Sequence, residues 1–205
     1  MNQTNQLKIK LNVVRVKHLN SEVFELVTER SNIKFIPGDV LIINASGQER
    51  PYFIASGIQE PWLRFLIRKS LSPVVNHLSD LTLGSRITVL KNPISIFPNL
   101  IKEADNKLTF FAAGIGISPV FSFLSTYPKI QPDIFYYDKN HISDSWLKKY
   151  PGYRNEITPD IILDYSNMNK KNKYYLCGQE SIVTQYENII NKKVNQKRIF
   201  SYPFI

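Results

Sequence analysis

The chain has 205 residues, of which 43% are hydrophobic and 21% are charged. This length allows one large or two small domains, and this composition is typical of a globular chain and excludes a disordered one. The single cysteine, Cys177, excludes an intrachain disulfide and a cysteine-cluster metal site, and it favours a reducing compartment. The three histidines share no metal-ligand spacing, so we predict no metal site.

The net charge of +9 is spread along the chain. Residues 1–100 hold 12 Lys+Arg and 7 Asp+Glu, and residues 101–205 hold 14 and 10, so neither half forms a basic arm. Short basic clusters such as 170–173 are typical of solvated loops. We therefore predict no nucleic-acid partner and expect the charge to attract anionic cofactors.

The sequence predicts neither a secretory leader nor a membrane span. Residues 1–6 are polar and uncharged, which favours a cytoplasmic location. The longest apolar region, 108–124, is interrupted by Gly114, Gly116, Ser118 and Pro119. It is also shorter than the roughly 20 residues that a spanning helix needs.

The first hundred residues have the pattern of short β-strands. Apolar residues alternate from Leu7 and then shift phase at Val14, which predicts a half-buried strand with a bulge. Glycine and proline turn signals separate the later apolar runs. Six short strands and one helix predict a small closed antiparallel barrel. The other predicted strands are 23–29, 40–45, 52–56, 62–68 and 86–91, and the helix is 73–81.

After a connection over 98–106, strand and helix patterns alternate. The alternation predicts parallel βαβ units. A helix that starts near Gln179 carries one apolar stripe at helical spacing. The predicted strands are 108–113, 134–137, 161–163, 173–177 and 199–205, and the other predicted helices are 119–125 and 143–150.

A glycine turn follows the first strand of this second half. Gly114, Ile115 and Gly116 end an apolar strand, Ser118 can cap the next helix, and Pro119 fits the first turn of that helix. Backbone N–H groups in such a turn can meet a pyrophosphate. Because a proline stands at the third glycine position of the dinucleotide fingerprint, a simple strand-to-helix turn is the alternative.

Two further sites are expected at the same edge of the sheet. Asp138 lies at the end of the next predicted strand, where a carboxylate can accept hydrogen bonds from an adenosine ribose and repel a 2′-phosphate. A turn aspartate is the alternative. Cys177 and Gly178 end another strand, where small residues would let a nicotinamide ring approach. A buried structural cysteine is the alternative there.

A strand end in the first half joins a cation to a flat aromatic ring. Arg50, Pro51 and Tyr52 lie before Phe53, and Ser56 follows three residues later. A fixed cation beside an aromatic ring suits an anionic, planar ligand such as a flavin.

These motifs, in this order, resemble the ferredoxin–NADP reductase superfamily, and most closely its NAD(P)H:flavin oxidoreductase branch. The resemblance spans nearly the whole chain and rests on short segments. These segments are Phe-Ile-Pro-Gly-Asp at 35–39, Arg-Pro-Tyr at 50–52, Ala-Gly-Ile-Gly-Ile-Ser-Pro at 113–119, Cys-Gly at 177–178 and the terminal 198–205.

The resemblance implies a six-stranded antiparallel flavin-binding barrel over 1–100 and a Rossmann-like parallel α/β NAD(P)-binding domain over 101–205. It implies that Arg50, Pro51 and Tyr52 contact the flavin, which is FMN, riboflavin or FAD. Within 114–119, Gly114, Ile115, Gly116, Ser118 and Pro119 would contact NADH or NADPH, together with Asp138. Cys177 and Gly178 would border the nicotinamide.

The implied activity is hydride transfer from NAD(P)H to a flavin. One cysteine cannot hold an iron–sulfur cluster, so the electrons would leave as reduced flavin or pass to a separate accepting protein. The superfamily usually has Ser or Thr after the tyrosine, bonding flavin N5, but here the residue is Phe53. That hydrogen bond would then come from backbone N–H or from Ser56. The altered flavin-phosphate segment at 72–76 favours a loosely bound flavin. A subunit without independent turnover is the alternative.

Overall fold

The computed structural model describes residues 7–97, 100, 107–139, 144–155 and 157–204. The chain divides into two compact units. The first comprises Met1–Pro98 and Phe121–Thr126, and the second comprises Asn99–Val120 and Tyr127–Ile205. Among the described residues, no helix is both long enough and apolar enough to cross a membrane.

The first unit is an antiparallel β-barrel, as the sequence predicts. Its strands run in the order β4-β3-β6-β1-β2-β5, and a short β7 pairs with β3. The two end strands of this order approach each other where the Ala55 N–H donates to the Arg64 carbonyl at 2.8 Å. The elements are β1 Lys8–His18, β2 Val23–Glu29, β3 Asp39–Ala45, β4 Gln48–Phe53, β5 Trp62–Arg68, α1 Pro73–Ser79, β6 Arg86–Leu90 and β7 Ile94–Ser95.

The predicted bulge in β1 is confirmed. The pairing of β1 with β2 shifts register between Val13 and Arg15, and Val14 is the residue that is left over. Leu11 and Val13 are two residues apart, so both point into the barrel, where they are almost fully buried. The bulge after Val13 shifts the alternation, so that Val16 also packs against this core. The barrel core contains buried apolar residues from β1, β2, β3, β5, β6 and α1. Tyr52 of β4 is partly buried and packs against this core.

The second unit is a parallel sheet with the strand order β10-β9-β8-β11-β12. Helices α4 and α5 cover one of its faces with an apolar cluster that includes the predicted stripe of α5. The elements of this part of the chain are β8 Leu108–Ala113, a 3-10 turn Gly114–Ile117, α2 Ser118–Thr126, β9 Asp133–Tyr137, α3 Asp144–Leu147, β10 Tyr153–Arg154, α4 Pro159–Met168, β11 Lys173–Gln179, α5 Glu180–Ile190 and β12 Ile199–Phe204. Of α2, residues Phe121–Thr126 belong to the first unit.

The predicted weak strand at 161–163 is wrong, because these residues lie inside α4. The side chain of Thr158 accepts a hydrogen bond from the Ile161 N–H at 3.3 Å, Pro159 occupies the first turn, and Asp160 adds an acidic residue there. These are standard start signals of a helix. The β-branched pair Ile161–Ile162 is typical of a strand, which is why the helix was not predicted. The short strand β10 was not predicted, and the predicted connection over 98–106 lies almost wholly outside the described residues.

Candidate functional site

In the first unit, Arg50 and Tyr52 lie on the same side of β4. They pair with Ile43 and Leu41 of β3, so both side chains point toward the barrel side of the sheet. Arg50 is exposed, and no hydrogen bond or ion pair joins it to the described residues. Its charge acts on Tyr52, whose pKa is raised by burial and lowered in part by Arg50. The tyrosine oxygen Oη is buried and has no hydrogen-bond partner in the described part of the chain.

Pro51 is exposed on β4, which is an end strand of the sheet order. A proline lacks the N–H that a central strand would need, so its position is consistent with an edge. Arg50 and Tyr52 therefore provide one unpaired cation and one unpaired hydroxyl at a strand edge. Such a pair can bind a polar or phosphorylated chain.

Phe53 points to the opposite side of β4 from Tyr52. Its ring is 9% exposed and stacks on Phe97, with a centroid distance of 6.1 Å and an interplanar angle of 12°. Phe97 in turn fills the space above Gly38, where an added Cβ would lie 2.9 Å from the Phe97 Cβ. Phe53 thus has a packing partner in the structure, and its predicted position beside flavin N5 remains a prediction.

Ser56 is fully buried. Its hydroxyl oxygen accepts a hydrogen bond from the Arg64 N–H at 3.2 Å, and its carbonyl accepts one from the Ser122 hydroxyl at 2.8 Å. The Arg64 side chain also forms an ion pair with Glu60 at 3.1 Å, and Glu60 accepts from the Gly57 N–H at 2.8 Å. This network holds the segment after β4 in one conformation.

The turn at 37–39 supports the same segment from the other side. Gly38 has φ of +92°, a conformation that favours glycine. The buried carboxylate of Asp39 accepts from the Ile36 N–H at 2.9 Å, and the Asp39 carbonyl accepts from the Ile54 N–H at 3.0 Å. Burial raises the pKa of Asp39, although hydrogen bonds from Ile36 and Ser95 oppose the shift.

In the second unit, the predicted nucleotide-binding residues meet at the carboxyl edge of the sheet. The chain leaves β8 toward β9 on one side and later returns to β11 on the other side. The β8–β11 boundary is therefore the point where the strand order reverses, which is where open α/β sheets bind ligands. The glycine turn follows β8 directly, and Cys177 and Gly178 lie at the end of β11.

The glycine turn and the Cys177–Gly178 backbone are in close contact. A Cβ on Gly116 would lie 2.2 Å from the Cys177 carbonyl oxygen and 2.8 Å from the Gly178 Cα. Gly178 itself has φ of +151°, and a Cβ there would lie 2.7 Å from the Ala113 Cβ. Gly116 thus makes room for the neighbouring strand.

Gly114 has φ of +55° and is half-buried, as is Ile115. Ser118 is the first residue of α2, and its hydroxyl donates to the Ile115 carbonyl at 2.8 Å. The predicted capping role of Ser118 is therefore wrong, because the 3-10 turn runs directly into the helix and removes the need for a cap. Pro119 lies in the first turn of α2, as predicted, and is buried.

Asp138 follows β9 at the same edge. Its carboxylate is 8% exposed and accepts a hydrogen bond from the Tyr136 hydroxyl at 2.9 Å. Tyr136 was missed in the sequence, although two-residue spacing on a strand places it on the same side as Asp138. Tyr202 of β12 was also missed as a neighbour of Cys177, since this pairing depends on strand register.

Cys177 is almost fully buried, and burial raises the pKa of its thiol. A buried thiol of this kind stays protonated and does not act as a nucleophile. Within the described ranges, no group of three or more His, Cys, Asp or Glu side chains is arranged to hold a metal ion. The second unit thus presents backbone turns and the Asp138 carboxylate at the strand ends.

No protein-family model and no curated protein matches this sequence. Solved structures do match its fold. A ferredoxin–NADP+ reductase from Plasmodium falciparum has a TM-score of 0.77 and 18% identity, and the match covers 98% of each chain. A ferredoxin–NADP+ reductase from Neisseria gonorrhoeae, determined with bound FAD and NADP, has a TM-score of 0.77 and 15% identity over 96% of this chain and 98% of that one.

Phthalate dioxygenase reductase, described as a modular structure for electron transfer from pyridine nucleotides to [2Fe-2S], has a TM-score of 0.80 and 12% identity. The match covers 96% of this chain and 68% of that one. The chain therefore shares its barrel-plus-parallel-sheet fold with these reductases. The fold that the resemblance to ferredoxin–NADP reductases predicts is confirmed.

Proposed function

We propose that this protein is an oxidoreductase that transfers a hydride from NAD(P)H to a flavin, and that it is a flavin reductase. The observation that carries the proposal is the meeting of the glycine turn, Asp138 and Cys177–Gly178 at the strand-order reversal of the parallel sheet. A nucleotide is the class of ligand that such an edge binds. The fold shared with pyridine nucleotide reductases supports the same assignment.

In this proposal residues 101–205 bind the nicotinamide nucleotide. Backbone N–H groups of the turn around Gly114, Ile115 and Gly116 face the pyrophosphate, and Ser118 and Pro119 hold the start of α2 behind it. Asp138 accepts hydrogen bonds from the adenosine ribose. Cys177 and Gly178 border the nicotinamide through shape, since the buried thiol carries no charge.

Residues 1–100 bind the flavin, which is FMN, riboflavin or FAD. The unpaired Arg50 cation suits a phosphate or ribityl chain, and the orphaned Tyr52 oxygen suits a polar group of the same ligand. Pro51 keeps this edge strand open. When bound, a flavin supplies the acceptor for the hydride, and it then leaves in reduced form or passes electrons to a separate protein.

Phe53 and Ser56 are proposed to shape the surroundings of flavin N5. Phe53 offers no hydroxyl, and the Ser56 hydroxyl is fully buried beside Arg64. A backbone N–H of the segment after β4 is then the remaining donor toward the reduced flavin. This shortage of donors favours the second candidate function, a flavin- and nucleotide-binding electron-transfer subunit that turns over only with its partner.

The absorbance of NADH or NADPH, followed with and without added FMN, riboflavin or FAD, tests the proposal. A flavin-dependent loss of reduced nucleotide supports the reductase. Binding of both ligands without turnover supports the electron-transfer subunit. An absence of both binding and turnover would refute both functions.

A further inference from the structure

Two buried polar groups form a pair at the nucleotide edge of the second unit. The Tyr136 hydroxyl donates to the Asp138 carboxylate Oδ2 at 2.9 Å, and the two residues are 2% and 8% exposed. Hydrogen bonds to a charged acceptor are stronger than neutral ones, and burial increases their effect. The tyrosine therefore restricts where the carboxylate can point.

Strand register places this pair beside the glycine turn. Ala113 of β8 pairs with Tyr137 of β9, so Gly114 and Asp138 are the next residues on two adjacent strands. Adjacent strands lie about 4.8 Å apart. Tyr136 pairs with Ala112 of β8. The 3-10 turn contacts the ends of β8, β9 and β11.

We propose that Tyr136 is a positioning residue that sets the nucleotide preference of the protein through Asp138. This inference rests on the proposed function. A carboxylate can accept up to about four hydrogen bonds, so the bond from Tyr136 to Oδ2 is compatible with further bonds from ribose hydroxyls. Held in place, the carboxylate binds a ribose with free 2′- and 3′-hydroxyls and repels a 2′-phosphate. The pair thus selects NADH over NADPH.

Two adenosine fragments test this without any flavin or turnover. Calorimetric titration with AMP and with adenosine 2′,5′-bisphosphate compares the ribose with and without a 2′-phosphate. Wild-type protein is expected to bind AMP more tightly. The substitution Tyr136→Phe is expected to weaken AMP binding by about 5–20-fold, with a smaller effect on the bisphosphate, because a charge-assisted hydrogen bond orients the carboxylate.

Tyr174→Phe is the matched control. Tyr174 is fully buried on β11, and its hydroxyl also donates at 2.9 Å, but to the Asn169 carbonyl at the end of α4. The substitution removes a tyrosine hydroxyl and its hydrogen bond from the same sheet, and it leaves the Tyr136–Asp138 bond intact. The ratio of AMP to bisphosphate affinity is expected to stay at the wild-type value in this variant. An equal change in that ratio would mean that general loosening of the sheet is responsible, and the proposal would fail.

Asp138→Ser, alone and combined with Tyr136→Phe, completes a double-mutant cycle. Once the carboxylate is absent, loss of the hydroxyl is expected to have no further effect on the affinity ratio. Melting curves establish that each variant is folded, and Tyr136→Met replaces Tyr136→Phe if the latter does not fold. If the Tyr136 variant is folded and its ratio of AMP to bisphosphate affinity equals that of the wild type, the role of Tyr136 is refuted and the proposed function is unaffected. Failure of the wild-type protein to bind AMP, the bisphosphate, NADH or NADPH overturns the proposed function as well.

Discussion

Replacing Gly116 with alanine adds a single methyl group at the tightest contact in the second unit. The new Cβ would lie 2.2 Å from the Cys177 carbonyl oxygen and 2.5 Å from its carbonyl carbon. Both atoms belong to the backbone of β11, which pairs with β8 and β12 on its two sides, so neither can yield cheaply. Overpacking of this kind typically costs about 1–3 kcal/mol, and we expect the upper end of that range.

For a unit of roughly 100 residues, 1 kcal/mol corresponds to about 4–8 °C in melting temperature, so we expect a fall on the order of 10–20 °C. Scanning calorimetry of the ligand-free protein measures this change. Gly47→Ala is the control, because Gly47 has φ of +75° but no atom within 4 Å of an added Cβ. Its cost is conformational only, about 1–2 kcal/mol. A Gly116→Ala protein that melts with the wild type would refute the close approach of the two segments.

Three other substitutions test the first unit. Arg50→Ala is expected to weaken FMN and FAD binding by roughly 1.5–3 kcal/mol and riboflavin binding less, as measured by fluorescence titration. Arg86 is also exposed, and the control Arg86→Ala should leave the affinities for all three flavins unchanged. Phe53→Ser is expected to cost about 3–5 kcal/mol of stability, since a buried stacked ring is lost, and to raise the single-turnover rate by up to about tenfold if the new hydroxyl faces flavin N5 as proposed. A destabilised variant that is no faster would refute the N5 role. The folded protein binds a proton at Asp39 more tightly than the unfolded chain does, because burial raises the pKa of this carboxyl above its ordinary value of 3.8. The free energy of unfolding should therefore fall as the pH rises from below 3.8 through the raised pKa. Asp39→Asn should abolish this pH dependence in denaturant titrations, and a pH dependence that persists would belong to other groups.

Local patterns were sufficient to predict most of the elements. The strands β2, β5 and β8 have the predicted bounds, and the bulge in β1 appeared as a phase shift in apolar alternation. These features depend on side-chain spacing within one segment, which the sequence shows directly. The helix α4 was missed because its β-branched residues resembled a strand, although its proline and capping threonine were visible in the sequence.

The sequence by itself determined the order of the motifs, the barrel-then-α/β pattern and the residue types available at each strand end. Only the tertiary structure decided which of these residues meet. Gly116 contacts the Cys177 backbone, although about 60 residues separate them, because β8 and β11 are neighbours in the parallel sheet. The stacking of Phe53 on Phe97 likewise joins residues that are distant in the sequence. Such contacts are set by packing between distant segments, which no local periodicity encodes.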